Sequence, residues 1–231
     1  MDNFNIGSIV ISLSLFAIYH IITYNAVYSK SKSITLYKNL INSRYWIEKH
    51  KSKDDAPTVT LAIQTLRNTI LVAIFLGGGS FTAAYSTLNA LSDANGINDE
   101  CRRIILSVLL MISFLFFASV IRAASHLGYQ LGLLYKKALK IEAKSDNIDL
   151  KSQIELVDIE SNKYDDDGDD DEIDIIKESN KMVSVMVVSF NLGFRFMYIA
   201  ISFSFYSAGP IALDIATGIM LIFLYLIDRA F

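Results

Sequence analysis

The chain has 231 residues, 52% hydrophobic and 19% charged, with a mean hydropathy of +0.37 and a formal net charge of −3. A soluble domain spreads its charges along the chain, whereas here they are gathered into two long polar stretches, which weighs against a soluble helical bundle. No basic tract is dense enough to follow a phosphate backbone, so nucleic acid is not an expected partner, and the single cysteine, Cys101, excludes an internal disulfide.

Residues 6–28 are charge-free and long enough to cross about 30 Å of hydrocarbon at 1.5 Å per residue, and form the first expected span. The segment before it carries Asp2 and no Lys or Arg, so it is read as part of a retained helix rather than a cleaved signal peptide. Residues 29–56 form a basic connection. Within it Leu36, Leu40, Ser43 and Ile47 recur at helical spacing beside Tyr45 and Trp46. That pattern predicts a short helix, lying in the interface or packed on the ends of the spans.

Asp55-Ala-Pro-Thr starts the next helix, with Pro57 in its first turn. The pattern from Pro57 to Leu91 is about 50 Å long, so its first turns must stand outside the bilayer and the second span is placed at 68–91. Gly77-Gly78-Gly79 in mid-span is expected to let another helix approach closely. A phosphate-binding loop would need a strand before it and Lys-Ser/Thr after it, and neither is present.

After the turn SDANGINDECRR, the third span covers 104–124, and its helical pattern continues past His126 to Lys140. Gly128 and Gly132 repeat the small-xxx-small spacing of contact faces. Residues 143–181 are polar, with KYDDDGDDDE at Lys163–Glu172. An EF-hand register there would begin on Lys163 and end on Asp174, so a solvated acidic loop is expected instead of a calcium site. The fourth span, 186–207, stops at Ala208-Gly209-Pro210, and the fifth, 211–227, returns as its antiparallel neighbour. The expected fold is an all-α polytopic membrane bundle of about five transmembrane helices, two of them extended beyond the bilayer.

Placing both polar stretches inside puts every Lys and Arg except Arg102 and Arg103 on that side, so the N-terminus is expected outside and the C-terminus inside. In that orientation His20 leaves the first span inward, and Arg67 with Asn68 enters the second from the same side. Arg122 and His126, one turn apart, leave the third span there, and Asn191 with Arg195 enters the fourth. These residues suggest an inner-leaflet site for an anion or lipid headgroup. The competing reading is long side chains snorkelling to the interface. Asp228 is the best-placed carboxylate to pair with a deep arginine, and Asp214 lies toward the outer side.

No catalytic constellation is legible. The three histidines lack metal-ligand spacing, and neither a nucleophile elbow nor a paired acid is present, so no enzyme activity, metal or cofactor is expected.

One family pattern does fit. Gln64–Asn68 (QTLRN) opens a span, Arg44-Tyr-Trp46 lies upstream of it, Tyr19-His20 sits in the first span, Arg122 and His126 follow the third, and Gly209-Pro210 closes the late hairpin. Together these resemble the membrane-protein family known as domain of unknown function 599. The acidic insertion at Asp165–Asp171 and the run Gly77–Gly79 depart from its pattern. The resemblance implies a multi-pass helical membrane protein and supplies no catalytic residues.

The expected function is therefore non-enzymatic: a structural or accessory subunit of a membrane complex, or a lipid-binding protein. Its expected partners are membrane lipids, anionic ones included, and other membrane subunits or further copies of this chain. The rival is a small transporter or channel for an anionic solute. It is disfavoured because the outer halves of the spans offer only Ser, Thr, Tyr and Asp214 as a polar path.

Overall fold

The computed structural model describes residues 6–29, 35–49, 56–94, 96–145 and 170–230. Among these there are six α-helices and no strand: α1 (Ile6–Tyr28), α2 (Thr35–Lys49), α3 (Ala56–Asn89), α4 (Ile97–Ser145), α5 (Asp170–Ser204) and α6 (Pro210–Ala230). Five of them, all except α2, are long and apolar enough to cross a membrane. Hydrocarbon offers no partner to a free N–H or C=O, so a spanning apolar segment closes its hydrogen bonds within a helix. That constraint carries α3 unbroken through Gly77-Gly78-Gly79.

The outward faces agree with such a setting. Ile22, Phe75, Leu115 and Ile222 are each more than half exposed, on four different helices. A contiguous apolar surface of that kind is rare on a monomer in water, and the chain is compatible with a multi-pass membrane protein.

Two tight turns lie at one end of the bundle, hereafter the hairpin end. α3 tightens into a 3-10 turn at Ala90–Asp93 and α5 into another at Phe205–Ala208. Gly96 and Gly209 then reverse the chain at φ +106° and +117°, a conformation that a Cβ would strain. Pro210 follows as the first residue of α6, where a missing N–H costs nothing.

The opposite end, which carries α2, is deeper than the expected connections allowed. α4 runs for 49 residues, to Ser145, and α5 for 35 residues from Asp170, so Asp170–Lys181 is helical rather than part of a polar loop. Ile175 and Ile176 explain the difference, because they pack on the core formed by Leu66, Leu127 and Val183. Acidic residues in the first turn also favour a helix start there. The rest of the acidic insertion, including Lys163, lies outside the described residues.

In space the order is α3, α4, α5, α6, α1, with α2 laid against α5 and α6. Apolar burial between helices gains little where the surroundings are already apolar, so close packing and hydrogen bonds hold such a bundle. Phe117 of α4 is the central wedge, fully buried between two glycines. A Cβ on Gly77 would lie 3.1 Å from the Phe117 Cβ, and one on Gly193 would lie 3.0 Å from its ring. Beside it, the Ser113 hydroxyl donates to the Gly193 carbonyl at 2.8 Å, and the Ser107 hydroxyl to Ala84 at 3.2 Å.

Candidate functional site

A buried polar network joins α1, α5 and α6. Arg195 projects from α5 into the bundle, and one of its terminal nitrogens lies 2.7 Å from both carboxylate oxygens of Asp228 on α6. Its Nε donates to the Asn191 side-chain oxygen, one turn earlier, at 2.5 Å. Tyr19 of α1 donates its hydroxyl to Asp228 at 2.5 Å, and its ring centroid lies 5.8 Å from the guanidinium carbon. An arginine at this depth costs several kcal/mol unless it is paired. Here its charge is matched and most of its donors are used.

His20 and Tyr24 sit next to this network on α1. His20 lies edge-on to the Tyr19 ring at 5.6 Å. Its Nδ1 is 2.6 Å from the Phe16 carbonyl, which can only accept, so that nitrogen carries the proton. The His20 Nε2, the Tyr24 hydroxyl and the second terminal nitrogen of Arg195 are buried without a protein partner.

α2 closes the network on the side away from the hairpins. Thr35 places its hydroxyl 3.1 and 3.0 Å from the carbonyls of Ile227 and Asp228, binding the last turn of α6 to the first turn of α2. Leu36 is fully buried behind it, and Arg44 reaches the Ser184 hydroxyl of α5 at 3.4 Å. Trp46 packs on the core of α3, α4 and α5 while Tyr45 stays exposed, so the short basic helix is docked on the bundle and keeps one aromatic free.

Next to the network, α2, α3 and α5 line a cavity of about 460 Å³ that is open on one side as a groove. Asn39, Asn42 and Ser43 line it from α2, Thr65 and Thr69 from α3, and Asn191 from α5. Its apolar walls include Trp46, Met186, Phe190 and Phe194. Asn191 belongs to both features: its oxygen is held by Arg195, so the amide N–H groups are left to face a guest.

The residues singled out in the sequence therefore separate. His20, Asn191 and Arg195 come together. Arg67, Asn68, Arg122 and His126 do not join them; all four are exposed on α3 and α4. Equal depth along a helix does not fix the face, and Arg67 points about 200° away from Thr65 and Thr69, which line the cavity. Of the glycines expected at helix contacts, Gly77 meets Phe117, whereas a Cβ on Gly78, Gly79, Gly128 or Gly132 would touch nothing within 4 Å. Gly193 makes the contact they were expected to make; Ser189, four positions earlier, completes a small-xxx-small spacing that the sequence reading passed over. The asparagines of α2 were also missed, because they read as ordinary polar positions of a surface helix.

A family model described as a protein of unknown function, DUF599, matches residues 8–231, nearly the whole chain. No curated protein and no solved structure matches it. The chain belongs to the DUF599 family.

Proposed function

We propose that this DUF599 member acts by binding rather than by catalysis, as a multi-pass membrane protein that holds a membrane lipid between α2, α3 and α5. The observation that carries this reading is the cavity of about 460 Å³: Asn39, Asn42 and Ser43 line it with Trp46 along α2, and Phe190 and Phe194 flank a single amide, Asn191, farther along α5. A lipid whose head lies at the interface and whose chains enter the hydrocarbon fits a lining that is mostly polar at one end and mostly aromatic at the other. The volume also falls within the range of small-molecule sites. In this reading the α2 end faces inward, where the basic connections lie, and the hairpin end faces outward. The exposed glycines Gly78, Gly79 and Gly132, with half-buried Gly128, offer faces to another subunit or a second copy.

Anion passage is the weaker reading. Its deepest cation, Arg195, is paired with Asp228, and Arg67, Arg122 and His126 are spread over exposed faces.

Native mass spectrometry of the full chain, released from its own membrane, tests the lipid reading. Retained lipid is expected on the wild type and should fall in Thr69→Phe and Asn42→Phe, which fill the cavity from its rim. Equal retention in variants of unchanged thermal stability overturns the proposal.

A further inference from the structure

The chemistry of the cavity lining selects among lipids, and this inference rests on the lipid-binding reading above. Its polar residues are Asn39, Asn42, Ser43, Thr65, Thr69 and Asn191, and no charged side chain lines it among the described residues. The nearest guanidiniums are turned elsewhere. Arg195 is taken by Asp228, Arg44 is held on Ser184 at the flank of α2, and Arg67 lies on the far side of α3. Among the described residues a phosphate drawn into this lining meets no side chain of opposite charge, and an unpaired ion is penalised wherever the lining strips its water.

Three carboxamides suit a different head, beside the Ser43, Thr65 and Thr69 hydroxyls, which donate to the carbonyls of Leu40, Leu61 and Thr65 and are left as acceptors. Carboxamides donate to carbonyl oxygens and accept from hydroxyls, and Asn191 presents its N–H groups because Arg195 holds its oxygen. We infer that the cavity takes the head of an uncharged lipid bearing ester or amide carbonyls and a free hydroxyl, the diacylglycerol and ceramide class, in preference to its phosphorylated counterparts. A cavity of about 460 Å³ holds the head and the first methylenes, leaving the chains to run past Phe190 and Phe194 into the bilayer.

The chain has one tryptophan, and it lines this cavity, so it reports occupancy directly. The experiment titrates the purified full chain in detergent micelles with diacylglycerol, and separately with phosphatidate, both carrying brominated acyl chains that quench Trp46 fluorescence. Saturable quenching by the diacylglycerol is expected at about one-tenth or less of the phosphatidate concentration. It should be lost in Thr69→Phe and weakened in Asn191→Leu. Phosphatidate binding as tightly or more tightly overturns the uncharged-head inference while leaving a lipid site in place. Quenching by neither lipid, as when a second copy or a partner helix covers the groove, or quenching unchanged in Thr69→Phe, overturns the lipid reading itself.

Discussion

Arg195 and Asp228 lie against each other with side chains only 3% and 8% exposed, and a single guanidinium nitrogen bridges both carboxylate oxygens at 2.7 Å. Such a pair is costly to assemble and costlier to break, because removing either partner strands the other charge in a medium that cannot solvate it. The pair thus fixes how α5 and α6 meet, and Tyr19 adds α1 to the same junction.

Asp228→Ala is expected to destabilise the protein by about 3–5 kcal/mol, whereas the double variant Arg195→Met, Asp228→Leu lies closer to the wild type than either single change. Thermal unfolding of the three variants in detergent, followed by loss of helical circular dichroism, gives the order. A double variant no more stable than Asp228→Ala would remove the ion pair as the reason for the burial.

Tyr19→Phe deletes one donor to Asp228 and leaves the ion pair whole. The expected loss is about 1–2 kcal/mol, clearly smaller than for Asp228→Ala, in the same unfolding measurement.

Gly193→Ala forces a methyl toward the Phe117 ring, which cannot withdraw because Gly77 backs it from α3. A loss of about 1–3 kcal/mol is expected, partly recovered by adding Phe117→Leu. Gly78→Ala meets open space and should change stability by about 0.5 kcal/mol or less.

Thr35→Val removes the hydroxyl that ties α2 to the end of α6. Amide hydrogen exchange in α2 is expected to quicken roughly five-fold, about 1 kcal/mol of local opening, while α4 and α5 keep their protection.

Cys101 is the only cysteine and is exposed at the hairpin end. A membrane-impermeant maleimide should therefore label Cys101 in sealed vesicles that expose the outer face of the membrane and spare it in inverted ones, under the proposed orientation. The opposite pattern would reverse it.

How much of this the sequence discloses depends on the direction one measures. Position along each helix follows from counting residues between charges, so the five long apolar helices and the late hairpin could be read, and Asp228 was the best-placed carboxylate to meet Arg195. Rotation about a helix axis could not be read for α1 and α4, because these spans are apolar on nearly every face and carry no stripe to orient them. Hence Arg122 and Arg195 were grouped in one site although Arg122 is exposed and Arg195 is buried. The Phe117 wedge was hidden for another reason: its two glycine walls are contributed by helices 40 and 76 positions away in the chain, a pairing that only the packed bundle creates.

α4 also sets a distance. Past Gln130, which accepts from the Ser179 hydroxyl at 3.0 Å, it continues to Ser145 for about 22 Å at 1.5 Å per residue, and α5 runs beside it for about the first 14 Å of that length. Paired helices of that length behave as a stiff mast rather than a tether. The helix ends at its tip are thereby held at a fixed distance from the Leu127 and Val183 core instead of swinging freely about it.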